Sequence, residues 1–415
     1  MISFKALASL SLTHPTGILK ESINLPASKS EANRALIIAA LSGEGAELHN
    51  LSEANDTQLL QRLLKSNEET INAEDAGTVM RFLTGYYAVT GQEKILTGTA
   101  RMCQRPIKVL VDALRELGAN IEYLGEEGYP PMKIGGFKGN GNNKLKVRSD
   151  ISSQYISSLL MVGPLLPDGL VLELEGKIGS RPYIEMTLSL MRHFGVNADF
   201  TGNTITVPHQ QYKSASYSIE PDWSAASYWY SMVALAHEAE IDLPGLREQS
   251  FQGDSAIAGI MKHLGVYTQF TEQGVRLSKR KHEHHFSFDF SDCPDLAQTI
   301  VALCAAMGVT LEMTGVESLR IKETDRIQAL QIEILSLGCS LQEVTDGVFR
   351  LELGLIENDS FSFRTYEDHR MAMAFAPLAL LRPTIIQEPR VVRKSYPRYW
   401  EDLQKVGFEV TESEE

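Results

Sequence analysis

Val111-Asp112-Ala113-Leu114-Arg115-Glu116-Leu117-Gly118, followed by Ala119 to Tyr123, a turn near Gly128 and Met132-Lys133-Ile134, reads as an amphipathic helix, a glycine stop, a strand, a turn and a returning strand. The same order returns in Leu188 to Phe194, Gly195, Val196 to Phe200, Gly202-Asn203 and Thr204 to Val207. It returns again in Ile257 to Leu264, Gly265, Val266 to Phe270, Gln273-Gly274 and Val275 to Leu277. A fourth copy runs through Ile327 to Leu337, Gly338, Cys339 to Val344, Asp346-Gly347 and Val348 to Leu353. Trp400 to Val406, Gly407 and Phe408-Glu409-Val410 form a truncated copy, and a weaker one starts near Leu59-Leu60. Each glycine stops its helix by taking the left-handed conformation other residues resist. One helix–glycine–hairpin element is common in α/β proteins; copies recurring at roughly 70 residues mark a repeat architecture.

The spacing predicts about six βαβ-type units in two sets of three. The seam falls near Ile219-Glu220-Pro221-Asp222-Trp223, where a proline interrupts before a helix from Ser224 to His237. The first segment, up to about Ser22, is expected to pair with the C-terminal half. The expected domains are therefore residues 1–21 with 222–415, and residues 22–221, with a substrate cleft between them. At 415 residues the chain exceeds what one core usually supports, which also favours two domains.

Composition narrows the function classes. The net charge of −14 argues against general affinity for nucleic acid or a membrane surface, which needs a basic field. It leaves room for small anionic substrates, because a local cluster of cations reverses the potential in one place. Leu36 to Leu41 and Met371 to Leu381 are too short to span a bilayer, and Met1 to Ala6 lacks the pattern of a signal peptide. Cys103, Cys293, Cys304 and Cys339 lie far apart, without metal-ligand or redox spacing, which fits reduced thiols in a cytoplasmic setting.

Several stretches place cations or hydroxyls at helix starts. In Leu25-Pro26-Ala27-Ser28-Lys29-Ser30-Glu31-Ala32-Asn33-Arg34, Ser28 or Ser30 caps a helix whose positive end carries Lys29 and Arg34. Ala73 to Arg81 repeats the logic, with Gly77 allowing a ligand close to the backbone. Arg105 precedes Pro106, which suits a first helical position. Ser149-Asp150-Ile151-Ser152-Ser153-Gln154 and Ile178-Gly179-Ser180-Arg181-Pro182 offer neutral polar groups at two more starts. Asp295 is expected in the first turn of a buried helix. Lys322-Glu323-Thr324-Asp325-Arg326 reads as a charged turn in which Lys322 and Arg326, four apart, share a helix face. Asp368-His369-Arg370 heads an otherwise apolar helix, so this polar head must meet a partner or a ligand. Arg393-Lys394 supplies two cations before the last repeat. His282, His284 and His285 follow a basic run in a hairpin region remote from these stretches and read as a solvated loop.

Taken in order, these stretches resemble the EPSP synthase family of enolpyruvyltransferases from about residue 20 to residue 400. The matching runs are Pro26 to Arg34, Ala76 to Arg81, Arg105 to Ile107, Ser152 to Gln154, Ser180 to Ile184, Pro294-Asp295, Lys322 to Arg326, Asp368 to Met373 and Lys394. The resemblance implies a two-domain α/β fold (an inside-out α/β barrel) of six βαβαββ units, three per domain. It implies transfer of the enolpyruvyl group of phosphoenolpyruvate to the 5-hydroxyl of shikimate 3-phosphate, in aromatic amino acid biosynthesis. Lys29, Gly77, Arg105, Gln154, Arg326, Arg370 and Lys394 would then hold phosphoenolpyruvate. Ser30, Arg34, Ser152, Ser153, Gln154, Ser180, Asp295 and Lys322 would hold shikimate 3-phosphate. Asp295 would be the base for the hydroxyl, and Glu323, aided by Lys29, the acid toward C3. No metal and no cofactor is expected, and the chain is expected to be a cytoplasmic monomer without nucleic-acid or membrane partners.

Three positions depart from the family pattern: Asp75 where asparagine is frequent, Ser318 where asparagine commonly assists the acceptor, and Phe82 where proline is frequent. They bear on local contacts and not on the reaction class. The runner-up, a UDP-N-acetylglucosamine enolpyruvyltransferase, usually carries a cysteine about five residues before Arg-Pro. Ala100 holds that place here, and Cys103 stands only two residues before Arg105. A silent anion-binding relative is the rival from another class, and it would be expected to lose Asp295 or Glu323.

Overall fold

Strands Thr70–Asn72 and Lys94–Thr97 run parallel on either side of the helix Gly77–Thr90, and the hairpin Ala119–Tyr123 and Met132–Phe137 follows the helix Lys108–Glu116. Lys94–Thr97 pairs antiparallel with Met132–Phe137, which completes a four-stranded βαβαββ unit with Leu96 opposite Met132. This is the repeat read from the sequence. The structure, a computed structural model, describes residues 9–148, 152–176 and 178–413. The first eight residues of the expected first domain, and the Ser149-Asp150-Ile151 lead-in, lie outside the described residues.

The chain divides into two units. One holds the described residues up to Pro26 with those from Glu220 on; the other is Ala27–Ile219. Among the described residues, the first has three four-stranded sheets. In one, Ile18–Ser22 lies parallel to Glu238–Pro244; in another, Ser9–Thr13 lies antiparallel to both Thr384–Ile386 and Glu409–Ser413. The second unit has two four-stranded sheets and a reduced third, in which Glu47–His49 pairs only with Ser216–Ser218.

The glycine stops are present. Gly118, Gly195, Gly265, Gly338 and Gly407 have φ of 107°, 83°, 92°, 70° and 98°. At Gly338 there is a second reason for glycine: an added Cβ would stand 2.2 Å from the Leu355 carbonyl oxygen. The helix expected over Ile327 to Leu337 is α-helical only over Arg326–Glu333, and its last turn tightens to 3-10 geometry over Ile334–Leu337.

Three helices form the core of each unit. In the first these are Trp223–Leu235, Ala297–Met307 and His369–Phe375, which touch one another; in the second, Lys29–Leu41, Gly77–Thr90 and Ser153–Val162 do the same. They are buried on all sides along most of their length, as with Trp223, Trp229, Ile300 and Met373 at 0% exposure. A helix apolar all round must be enclosed, and the surrounding sheets enclose these. Their polar residues gather at the N-termini. No described helix is long and apolar enough to cross a membrane.

Candidate active site

In the unit from Glu220 on, the N-termini of the three core helices are tied together by charge. Asp222 caps Trp223–Leu235, accepting from the Ser224 N–H at 2.7 Å, and Asp368 caps His369–Phe375, accepting from the Arg370 N–H at 2.9 Å. Asp295 lies in the 3-10 turn Pro294–Leu296 that leads into Ala297–Met307. Arg370 joins all three ends. Its Nη2 donates to Asp295 Oδ2 at 2.8 Å and to Ser224 Oγ at 3.3 Å.

Arg326 is the hub, at 2% exposure. Its Nη1 donates to Asp295 Oδ1 at 2.9 Å, its Nη2 to Glu323 Oε2 at 2.8 Å and its Nε to Asp368 Oδ2 at 2.6 Å. Lys322 Nζ lies 3.7 Å from Asp295 Oδ1. Burial disfavours charge on Asp295, but Arg370, Lys322 and Arg326 outweigh it and hold the carboxyl well below the usual carboxylate range. Burial pulls the Lys322 ammonium down, and Asp295 opposes that pull. Around Arg326, burial is overcome by Asp368, Glu323 and Asp295, so its cation is held more firmly than usual.

The expected helix face shared by Lys322 and Arg326 is a correction. Lys322 is extended, at φ −83° and ψ −150°, and the helix begins at Arg326 with Asp325 as its cap. The two cations reach one carboxylate because the loop folds over Asp295. Lys394 ends the 3-10 turn Pro389–Lys394, which packs on His369–Phe375.

The unit Ala27–Ile219 has a different electrostatic character. Ser28 caps Lys29–Leu41 through the Glu31 N–H, and Lys29 Nζ pairs with Asp56 Oδ2 at 3.3 Å. Arg34 donates to Thr187 Oγ1, the Ser30 carbonyl and Ser157 Oγ at 2.8, 2.8 and 2.9 Å, and lies over the rings of Phe82 and Tyr183. Three of its five N–H groups are used in this way among the described residues, and two are open to a ligand. Burial lowers its value to about 10, still cationic at neutral pH. Phe82, one of the departures from the family pattern, supplies an aromatic platform for this guanidinium.

Arg81 donates to Gln154 Oε1 at 3.0 Å and sits over Tyr155, while Gln154 Nε2 donates to Thr78 Oγ1 at 3.0 Å. A Cβ at Gly77 would stand 2.5 Å from Arg81 Nη1 and 2.8 Å from Arg105 Nη1, so both guanidiniums lie against the one position without a side chain. Arg105 follows the 3-10 turn Met102–Gln104, and Tyr155 Oη donates to the Pro106 carbonyl at 2.6 Å, which ties this loop to Ser153–Val162. The helix after Pro106 runs over Lys108–Glu116, so Pro106 stands two residues ahead of it and not at its first position. Ser152 caps Ser153–Val162 through the Gln154 N–H. Ser180 occupies a cap position at φ 55°, but its side chain makes no cap bond.

Eight of the sequence-predicted residues therefore fall into two clusters. Asp295, Lys322, Glu323, Arg326 and Arg370 form a network of alternating charge. Gly77, Arg105 and Gln154 come together with Arg81, which carried no predicted role although it ended the quoted run. Among the described residues, the hydrogen bonds of Arg34 and Arg81 go to neutral groups, with no carboxylate among their partners. Asp56, Ser224, Asp254 and Asp368 were also without a predicted role. Of these, only Asp368 had a signal in sequence, heading a buried helix. No group of three or more His, Cys, Asp or Glu side chains among the described residues could hold a metal ion.

Helix N-termini here fix two arginines and a lysine around one half-buried carboxylate, Asp295, an arrangement suited to small anionic ligands. The family model for EPSP synthase (3-phosphoshikimate 1-carboxyvinyltransferase) matches residues 13–67 and 60–403. The 3-phosphoshikimate 1-carboxyvinyltransferase of Bacteroides fragilis strain YCH46 is 50% identical over 401 residues, covering 96% of this chain and 98% of its own. That of Neisseria meningitidis serogroup B is 34% identical over 418 residues, covering 93% and 96%. A solved EPSP synthase from Acinetobacter baumannii shares the fold at a TM-score of 0.80 and 20% identity, covering 97% of this chain and all of that one. The chain belongs to the EPSP synthase family.

Proposed function

We propose that residues of both clusters take part in holding each substrate of enolpyruvyl transfer. As a member of its family the chain transfers the enolpyruvyl group of phosphoenolpyruvate to the 5-hydroxyl of shikimate 3-phosphate, releasing phosphate. Lys29, Gly77, Arg105, Gln154, Arg326, Arg370 and Lys394 hold phosphoenolpyruvate. Ser30, Arg34, Ser152, Ser153, Gln154, Ser180, Asp295 and Lys322 hold shikimate 3-phosphate. Each substrate carries a carboxylate and a phosphate, and fixed guanidinium forks suit both groups.

One observation carries the mechanism: Asp295 is gripped by Arg326, Arg370 and Lys322. A carboxylate held this far below its usual range is a poor base, because proton transfer is most efficient near the working pH. Substrate anions that engage Arg370 and Lys322 relieve that grip and raise the basicity of Asp295 when the 5-hydroxyl is in place. Asp295 then takes the hydroxyl proton as the oxygen attacks C2, and Glu323 delivers a proton to C3. Cations around the resulting tetrahedral intermediate stabilise its charge. The proton returns from C3 as the C2–O bond to phosphate breaks, which restores the enol and releases phosphate. The reading places this reaction in the cytoplasm.

Released phosphate tests the reading. Phosphoenolpyruvate with shikimate 3-phosphate is expected to yield it, and phosphoenolpyruvate with UDP-N-acetylglucosamine is not. Turnover with the sugar nucleotide alone would move the chain to the other enolpyruvyl reaction, and no phosphate from either mixture would indicate a silent binder.

A further inference from the structure

Asp254 lies in the 3-10 turn Gly253–Ala256, outside every stretch given a role so far, and is 2% exposed. Its Oδ2 accepts a hydrogen bond from the Ser224 hydroxyl, while Oδ1 is buried without a hydrogen-bond partner among the described residues. Ser224 Oγ in turn accepts from Arg370 Nη2 at 3.3 Å. A serine hydroxyl has one proton to give and two lone pairs with which to accept. With that proton committed to Asp254, Ser224 presents only acceptor capacity to Arg370. The chain of bonds therefore has a fixed polarity, and the carboxylate at its end sets it.

We propose that Asp254 is a positioning residue for phosphoenolpyruvate binding: as a carboxylate it orients the Ser224 hydroxyl, which aims the Arg370 guanidinium. This rests on the reading of Arg370 as a phosphoenolpyruvate ligand. The charged and titratable groups facing Asp254 are Arg370, Asp295, Asp222 and the Cys293 thiol. Burial pushes the Asp254 carboxyl up to about 6; Arg370 and the Ser224 bond act against this, and Asp295 and Asp222 add to it. As pH falls through that value Asp254 gains a proton and can itself donate to Ser224. The hydroxyl then turns its own proton toward Arg370, donor against donor, and the guanidinium loses its aim.

The experiment measures kcat and the KM for phosphoenolpyruvate by phosphate release, from pH 5 to pH 8 at saturating shikimate 3-phosphate. It compares wild type, Asp254→Asn, Ser224→Ala and the double variant. The substrate phosphate titrates in the same range, so the readout is the ratio of variant to wild type at each pH. At pH 8, Asp254→Asn is expected to raise the KM roughly tenfold, the effect of losing one hydrogen bond to a charged group, with kcat little changed. The ratio is expected to shrink toward one at pH 5, where wild type has lost the same orientation. The double variant is expected to be no worse than Ser224→Ala alone.

A wild-type KM in Asp254→Asn at pH 8, a ratio that does not vary with pH, or additive losses in the double variant would each overturn the proposal. If circular dichroism shows that Asp254→Asn has not folded, Ser224→Ala carries the test, and a flat ratio there is equally fatal. Arg370→Ala separates this inference from the reading beneath it. A KM unchanged in Arg370→Ala defeats the ligand assignment, whereas a raised KM there beside a normal Asp254→Asn defeats only the role of Asp254.

Discussion

Replacing Asp295 by asparagine is expected to lower kcat by about 10²–10⁴-fold, the usual contribution of a positioned acid or base, while the KM for phosphoenolpyruvate does not rise. Asparagine keeps the shape of the side chain and can still accept from Arg326 or Arg370, so the fold is preserved. What it removes is one negative charge from a site shared with Arg326, Arg370 and Lys322. Those cations are then held less tightly by the protein, and phosphoenolpyruvate, assigned to Arg326 and Arg370, binds as well as before or better. Steady-state phosphate release gives both constants. A raised KM with an intact kcat would mean that Asp295 serves only to bind the acceptor.

The second large effect is on stability. Arg326→Met preserves much of the side-chain volume but leaves Asp295, Glu323 and Asp368 without the cation that joins them. Asp368 is 0% exposed and cannot turn to water. Removing one partner from a buried ion network costs about 3–5 kcal/mol, because the remaining charges stay buried and uncompensated. The unfolding temperature of the unit should fall by on the order of 10 °C.

The pH dependence of this loss is specific. In wild type Asp295 is held below its unfolded value, so its contribution is present above about pH 4 and fades in acid. In the variant, neighbouring carboxylates without Arg326 repel, which raises their folded values. Their burden then grows as pH rises above about 4. Thermal unfolding at pH 5 and pH 8 should therefore show the larger deficit at pH 8. An equal or larger deficit at pH 5 would mean that lost packing, not charge, is responsible.

Much of the fold was legible because the repeat is punctuated by residues with a backbone reason to be there. A glycine after each helix marks where a left-handed residue is needed, and Gly338 shows how little room another side chain would have. The tightening of Ile334–Leu337 into a 3-10 turn was not legible, since apolar spacing over a single turn is nearly the same for both helix types. The reduced sixth sheet, Glu47–His49 with Ser216–Ser218, pairs strands far apart in sequence, and no local pattern marks such a pairing.

Within the candidate site, helix starts rich in Ser, Lys and Arg stood out because capping and the helix dipole act locally. Lys322 was misplaced because spacing alone does not say where a helix begins; the Asp325 cap, which was in plain sight, does. Asp254 was invisible because Gln252-Gly253-Asp254-Ser255 has the composition of a solvated turn, and only tertiary burial makes its carboxylate consequential. Arg81 was passed over for a similar reason. Its Gln154 and Tyr155 partners come from a helix more than seventy residues away.

The proposed assignment of phosphoenolpyruvate to both Arg105 and Arg370 is tested most directly by the KM for that substrate in Arg105→Ala and in Arg370→Ala. Each is expected to raise it at least tenfold, about 1.4 kcal/mol or more of lost binding. Should either protein, shown to be folded, keep the wild-type constant, the assignment of phosphoenolpyruvate to both clusters would be contradicted.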